Sequence, residues 1–370
     1  MDCPNRSTSL EPLNLLEYET AALECLTPMA RDYYQSGAWD EVTLRGNRAA
    51  FARYGLRPRV LVDVGERDLS TEILGQRLGS PLWIAPTAFQ GLAHPEGELA
   101  TARAAAKAGV GMVLSTMATQ SLESVAAVAH PQIPQWFQLY VHRDRGLTRC
   151  LLERAEQAGY QALCLTVDAP VLGRRERDMR NRFQLPTGMS LANLASNADL
   201  GCLSDGAESS LFTYFMNQID PTLSWKDLEW LASCTHLPIL VKGILRGDDA
   251  LRCFEHGAQG VIVSNHGGRQ LDGAIASLDA LPEVVQQVGN QMEILMDGGI
   301  RRGTDVLKAL ALGAKAVLVG RPILWGLAVA GETGVLRVLQ LLQDELSVTM
   351  ALCGCARLSD VDPSLIQLAA

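Results

Sequence analysis

The chain is predicted to be an α/β protein. It reads as one (β/α)8 barrel with an N-terminal helical extension and a long loop insertion after the fourth strand. Three observations carry that prediction. Short apolar runs alternate with amphipathic helical stretches, and there are eight such runs. Most of the runs are nearly continuous in apolar residues, as parallel strands covered on both faces must be. The length of 370 residues suits one such barrel carrying insertions. A doubly wound open sheet is the alternative, but eight units fit closure and no G-x-G-x-x-G follows an early strand.

Residues 1–80 precede the first barrel strand. They read as helices at Leu15–Leu26, Pro28–Gln35 and Asn47–Tyr54, followed by a short hairpin expected to plug the barrel's bottom. The barrel occupies 81–330. Its strands are read at Leu82–Ala88, Gly111–Thr116, Gln135–Tyr140, Ala162–Asp168, Pro238–Gly243, Gly260–His266, Glu293–Gly298 and Ala316–Arg321. Helical patterns lie between them at Glu96–Ala108, Ser121–Ala129, Leu147–Ala158, Asp248–His256, Leu278–Val288 and Gly303–Leu312. Several end in Ala-Gly, Gly-Ala or Leu-Gly, a glycine helix stop. Residues 169–236 separate the fourth and fifth strands by far more than one helix needs. Leu185–Ser210 within them is rich in Asn, Gly, Ser and Asp, and a long loop on a barrel's catalytic rim reads as a lid. Residues 331–370 form a C-terminal helix and tail. No linker divides the chain, so 1–370 is read as one domain.

Composition narrows the partners. Hydrophobic residues make up 48% and charged residues 20%, a globular balance. The net charge of -9 repels phosphate backbones and anionic lipids, so neither nucleic acid nor membrane is an expected partner. No uncharged stretch reaches the ~18 residues that span a bilayer. Nine cysteines are scattered without a CxxC pair or metal-ligand spacing, which reads as reduced and cytoplasmic with no metal site. The closest pair, Cys353 and Cys355, reads as packing near a helix end. Met1–Leu13 has no apolar signal core, and the chain ends Gln-Leu-Ala-Ala rather than Ser-Lys-Leu.

In this fold the residues ending each strand face the active site. Here they are Pro86-Thr87-Ala88, Ser115-Thr116, Gln138-Leu139-Tyr140, Thr166-Val167-Asp168, Lys242-Gly243, Ser264 through Arg269, Asp297-Gly298-Gly299-Ile300-Arg301 and Gly320-Arg321. A purely structural barrel needs no such polar ring, because unsatisfied polar groups near a core cost free energy. The last two strand ends read as a phosphate site. Glycines let the backbone approach, Arg301 and Arg321 bring positive charge, and the helix starting near Gly303 is expected to offer its N–H groups.

His266 is the candidate base. Asp168 can orient its ring and favour its protonated form. Arg269 can grip a carboxylate bidentately. Lys242 has two readings, a Schiff-base former or a positive charge beside a ring that gains electrons. The other histidines, His94, His130, His142, His236 and His256, read as ordinary surface or helix positions, and most of Arg174, Arg175 and Arg177 as solvated charge.

Ser264-Asn265-His266-Gly267-Gly268-Arg269-Gln270-Leu271-Asp272 resembles the signature of the FMN-dependent 2-hydroxy-acid oxidases. The resemblance extends through Asp32-Tyr33-Tyr34, Ile84 to Ala88, His94 to Glu98, Trp136 to Tyr140, Leu165 to Asp168, Asn181-Arg182-Phe183, Lys242-Gly243 and Asp297 to Asp305. It implies FMN contacts at Pro86, Thr87, Ala88, Ser115, Gln138, Thr166, Lys242 and Ser264. It implies a phosphate site at Asp297, Gly298, Gly299, Ile300, Arg301, Gly320 and Arg321. The substrate carboxylate would meet Tyr33, Arg175 and Arg269, with Tyr140 on the hydroxyl and His266 and Asp168 as the base. Lys242 then stabilises charge at the flavin edge, which removes the Schiff-base reading.

Two departures bear on the substrate. Met117 stands where plant-type glycolate oxidases carry tryptophan, and Phe215 where they carry a small aliphatic residue. Both changes resemble cyanobacterial and other bacterial lactate oxidases, whereas Thr87 resembles glycolate oxidases. The resemblance therefore implies oxidation of a small L-2-hydroxy acid, lactate before glycolate, with oxygen as acceptor and peroxide formed. A quinone or protein acceptor is the alternative. A tetramer is expected, with Trp325, Leu327 and Val329 available to cover an interface. A barrel isomerase acting on a diphosphate would need a second basic cluster and would lack the pairing of His266 with Arg269.

Overall fold

The computed structural model describes residues 11–194 and 217–368. Eight parallel strands close into a barrel in chain order: Leu82–Ile84, Gly111–Leu114, Gln135–Leu139, Ala162–Thr166, Ile239–Ile244, Gly260–Val263, Glu293–Asp297 and Ala316–Val319. The last strand pairs with the first through Val317–Leu82 and Val319–Ile84, so the sheet has no edge and the open-sheet alternative falls. Most strands stop two to four residues before the apolar-plus-polar runs in the sequence stop. The ladder is abandoned where backbone and side chains turn toward the barrel mouth.

Alternate strand residues divide between two cores. Leu82, Ile84, Met112, Leu114, Phe137, Leu163, Val241, Val261 and Met296 face the surrounding helices. Trp83, Val113, Trp136, Cys164, Leu240, Ile262, Leu295 and Leu318 fill the barrel interior. The indole rings of Trp83 and Trp136 lie 3.7 Å apart there. The hairpin of Thr71–Ile73 and Gln76–Leu78 inserts Ile73 and Leu78 into this interior cluster and so closes the bottom as expected.

The helices match their sequence patterns within a residue or two, with one exception. The third N-terminal helix runs Val42–Ala52, starting five residues before the pattern that begins at Asn47. Its start is set from far away: the Asp272 carboxylate accepts from Val42 N at 3.2 Å and Thr43 N at 2.8 Å. The chain's end returns to this region, with Ile366–Leu368 antiparallel to Tyr54–Leu56. Arg321–Leu352 is broken at Ala330–Gly331, where Gly331 takes φ +56°. It is long and apolar enough to cross a membrane, yet 67% of its most apolar window is buried inside the fold, which makes it a core helix.

Two expectations are corrected here. Trp325, Leu327 and Val329 are buried within the chain's own core, with the Arg301 guanidinium over the Trp325 ring, so they cannot cover an interface. Cys25 is disulfide-bonded, against the expectation of reduced thiols; Cys150, Cys164, Cys234, Cys253, Cys353 and Cys355 are free. The insertion contains the short helix Glu176–Arg180 and the helix Trp225–Cys234. Phe215 lies outside the described residues.

Candidate active site

The inward register of the strands continues past their apolar layer. Two residues beyond the last interior apolar position of each strand stand Ala85, Ser115, Gln138, Thr166, Lys242, Ser264, Asp297 and Gly320. All eight belong to one pocket or its floor, and apart from the more open Gly320 all are buried. The barrel's third layer is thus a polar floor. Lys242 Nζ donates to Ser264 Oγ at 2.9 Å and pairs with Asp297 Oδ2 at 3.0 Å. Burial works against its charge, but Asp297 and Asp168 outweigh burial and hold the ammonium above the ordinary lysine range. The lysine is therefore a fixed positive charge, not a neutral amine ready to form a Schiff base. Gln138 Nε2 is buried with no protein partner, a donor left for a ligand.

Above this floor His266 Nδ1 meets Asp168 Oδ1 at 2.8 Å. Burial would raise the Asp168 carboxyl, but His266 and then Lys242 hold it below its usual value, so it remains an anion. With Nδ1 engaged, Nε2 is the nitrogen left for chemistry. The loop that presents the ring is unusual. His266, Gly267 and Gly268 are consecutive left-handed residues, at φ 57°, 65° and 75°. Left-handed backbone at a non-glycine residue is strained and marks a site held by its surroundings. A Cβ at Gly267 would lie 2.9 Å from Arg321 Nη1, and one at Gly268 would lie 2.5 Å from Leu44 N. The two glycines are required by protein packing.

Arg269 and Arg175 line the same pocket, both over the Tyr33 ring, at 4.9 and 5.4 Å from its centroid. Arg269 Nη1 donates to Tyr33 O and Ser36 O. Burial and then Arg175 push its guanidinium down. Arg175 is buried and pairs with Asp178 at 3.0 Å, so of the three arginines after the fourth strand it is one that is not solvated charge. One guanidinium is thus balanced and the other is not, leaving one positive charge for one carboxylate. Burial, then Asp168, pushes the Tyr140 phenol well up, so it stays a proton donor beside this cluster. Met117, Ala169 and Leu172 supply the apolar wall.

The phosphate end is partly as expected. Arg301 and Arg321 line the pocket and neither forms an ion pair with a carboxylate among the described residues. Burial, together with neighbouring arginines, pushes them down to about 10 and about 9, so both remain charged at neutral pH. Two uncompensated buried cations match a phosphate monoester of roughly −1.5 to −2 charge. The helix expectation is corrected. Gly303 N, the first N–H of the helix Gly303–Ala311, donates to Glu345, and the N–H groups of Arg301 and Arg302 just before the helix donate to Asp305. The helix end that borders the pocket begins at Arg321, after Gly320. The Gly298–Gly299 turn is also explained differently. A Cβ at Gly299 would lie 2.3 Å from Asn47 O, so it is packing against the N-terminal helix that demands glycine there.

All the expected site residues among those described gather at this mouth, with Asp168 and Ser264 just behind the pocket lining. Four contributors were not foreseen. Gly243, at φ 110°, would place a Cβ 2.5 Å from Asp168 Cβ; its bareness is what lets the carboxylate reach His266. Gln270 donates to Asp168 O and Val171 O and accepts from Gly173 N, tying the insertion to the catalytic loop. Tyr34 lines the pocket and donates to Phe89 O at 2.6 Å. Asn47 braces two loops at once. The signal for Gly243 and Gln270 was present, since both sit in runs already singled out.

A barrel with a two-cation phosphate cradle, a buried lysine at the floor and a histidine–aspartate pair facing arginines defines a class: flavin-mononucleotide barrel oxidoreductases. The orphaned Gln138 donor and the unpaired arginines fit that cofactor. The chain matches the FMN-dependent dehydrogenase family over residues 22–368, and it belongs to that family. It is 63% identical over 359 residues to an L-lactate oxidase of Nostoc sp., covering 96% of this chain and 98% of that one. It is 52% identical to glycolate oxidase 1 of Zea mays, covering 95% and 94%, and 50% identical to human 2-hydroxyacid oxidase 1, covering 95% of each. A crystal structure of mandelate oxidase superposes with a TM-score of 0.90 at 42% identity, covering 97% of this chain and all of that one.

Proposed function

We propose that the protein oxidises small L-2-hydroxy acids to 2-oxo acids, preferring L-lactate to glycolate, with oxygen as acceptor and hydrogen peroxide as product. One observation carries the reaction class. His266, with Nδ1 on Asp168 at 2.8 Å, shares its pocket with one uncompensated arginine and a protonated tyrosine. Arg269, helped by Arg175 and Tyr33, grips the carboxylate and so sets the α-carbon in one orientation. Tyr140 donates to the substrate hydroxyl. His266 Nε2 takes a proton from the substrate, and Asp168 stabilises the imidazolium that forms.

FMN would supply the two-electron acceptor; Arg301 and Arg321 would hold its phosphate, and Gln138, Lys242, Ser115, Thr166 and Ser264, with Pro86, Thr87 and Ala88, would hold its ring. The lysine's positive charge favours the extra electron density. Lactate preference rests on Met117, a buried flexible side chain that can yield to a methyl group. Relatives named as oxidases support oxygen as acceptor. A cytoplasmic homotetramer completes the proposal. The test is steady-state kinetics on both acids with an oxygen electrode, preceded by anaerobic addition of L-lactate. Bleaching of the flavin, peroxide formation and a higher kcat/KM for lactate are expected. A flavin that no hydroxy acid bleaches refutes the reaction, a higher kcat/KM for glycolate refutes the preference, and turnover without oxygen uptake refutes the acceptor.

A further inference from the structure

The pocket's two ends are chemically independent, one a proton acceptor and the other a phosphate cradle, yet both lean on one residue from outside the barrel. Asn47 lies on the helix Val42–Ala52 and is buried. Its Nδ2 donates to Asn265 Oδ1 at 2.8 Å, and Asn265 Nδ2 donates back to Asn47 Oδ1 at 2.8 Å. The orientation of this amide pair is fixed by backbone groups that admit no flip. Gly268 N donates to Asn265 Oδ1, Asn265 Nδ2 also reaches Ile275 O, and Ser277 N donates to Asn47 Oδ1. Asn265 immediately precedes the left-handed His266, and Gly268 ends the three-residue left-handed run. The amide pair therefore spans the strained segment that aims the imidazole.

The same residue touches the other end. A Cβ on Gly298 would meet Asn47 Nδ2 at 3.4 Å, and one on Gly299 would meet Asn47 O at 2.3 Å. The neighbouring Arg48 donates to Gly299 O and pairs with Asp305, whose carboxylate receives the Arg301 and Arg302 N–H groups. The backbone leading to Arg301 is thus seated against Asn47 and Arg48. The helix itself is pinned to the catalytic loop by Asp272 on Val42 and Thr43.

We propose that Asn47 is a positioning residue that locks the His266 loop and the Gly298–Gly299 turn to one another, so that base and phosphate cradle are held in register by the N-terminal helix. The proposal rests on the reading of this pocket as an FMN site, and its two readouts are separable. Asn47→Leu keeps the volume and removes every side-chain hydrogen bond. Each buried hydrogen bond contributes about a factor of three to ten, and stranded partners add to the loss. At least a tenfold weaker FMN dissociation constant is expected. At saturating FMN, at least a tenfold slower anaerobic flavin reduction by L-lactate is expected, with KM within about threefold.

The control is Lys308→Met, which removes the bond from Lys308 Nζ to Phe51 O at the far end of the same helix. It should lower the melting temperature while leaving FMN affinity and reduction rate within about threefold. If Asn47→Leu lowers only the melting temperature, or moves only one of the two readouts, or if Lys308→Met moves both equally, the proposal fails. Should Asn47→Leu not fold, Asn47→Asp carries the test. Its carboxyl can donate to Asn265 Oδ1 only when protonated, so its defect relative to wild type should shrink as pH falls, and a pH-independent ratio overturns the proposal. If wild type is not reduced by any hydroxy acid, the functional reading fails, while FMN affinity still tests Asn47.

Discussion

Replacing Asp168 by asparagine isolates the charge behind the base. The amide has the carboxylate's shape, so it fits beside Gly243, where a Cβ would stand only 2.5 Å from Asp168 Cβ. What is lost is the negative charge 2.8 Å from His266 Nδ1. Unit charges about 4 Å apart at an effective dielectric near 20 interact by roughly 4 kcal/mol. The imidazolium is only partly formed in the transition state, and the nearby Lys242 ammonium already offsets some of the field. About 3 kcal/mol is therefore expected, or roughly a 10²-fold slower reduction of the bound flavin. If the amide turns its Nδ2 toward the ring, Nδ1 becomes the acceptor, Nε2 carries the proton and the loss is larger. Arg175, Arg269 and Tyr140 are untouched, so KM should move by no more than about threefold. Anaerobic stopped-flow reduction by L-lactate measures the step directly. A rate within fivefold of wild type, or a loss confined to KM, would refute the assignment of Asp168 as the partner that stabilises the protonated base.

The same carboxyl is held below its usual value, so its contribution to stability is complete above the ordinary aspartate range and fades as pH falls through the lower folded value. Acid-unfolding curves of Asp168→Asn should accordingly be shallower than wild type below about pH 4; superimposable curves would contradict this. Gly243→Ala adds a Cβ against Asp168 at φ 110° and should cost about 1–3 kcal/mol of stability and displace the carboxylate, read as a lower melting temperature with slower flavin reduction. Arg301→Met removes a buried cation whose guanidinium donates to the adjacent Ile300 carbonyl; the apoprotein should melt no lower than wild type while FMN binds at least tenfold more weakly, by calorimetry and fluorescence. Met117→Trp fills the apolar wall and should shift the lactate-to-glycolate ratio of kcat/KM toward glycolate by about 1–3 kcal/mol, checked by paired kinetics.

Much of the site was legible because a barrel strand is periodic. Counting by twos from Trp83, Val113, Trp136, Cys164, Leu240, Ile262, Leu295 and Leu318 arrives at Ala85, Ser115, Gln138, Thr166, Lys242, Ser264, Asp297 and Gly320, the floor itself. What escaped reading depends on partners remote in sequence. The start of the helix at Val42 is set by Asp272, 230 positions away, and Asn47 finds Asn265 at a separation of 218. Glycines invited one explanation, approach to a ligand, where the structure gives another. At Gly299 the close neighbour is protein, the Asn47 carbonyl. The Gly303 helix reads locally as a phosphate site, but its first N–H, at Gly303, is occupied by Glu345, 42 positions away, which no local pattern announces.

Charge placement unites these pieces. The chain carries a net charge of -9, yet its unpaired buried cations converge on one pocket. At the phosphate end Arg301 and Arg321 leave about two positive charges unpaired, and Asp305, whose carboxylate accepts from Arg301 N, is already paired with Arg48. At the substrate end Asp178 balances Arg175 and leaves Arg269. Between them Lys242 is matched by Asp297, while the Asp168 carboxylate waits beside His266 and is neutralised only when the imidazole takes up the substrate's proton. Each anion can then enter a compartment whose excess charge equals its own, and neither must be neutralised by groups that take part in the chemistry. Because Asp297 and Asp168 hold the lysine in its charged form, Lys242 is no acceptor for the proton that leaves the substrate, and His266 Nε2 is. The N-terminal helix holds these compartments at constant separation, which a barrel built of independent strand-end loops would not otherwise guarantee.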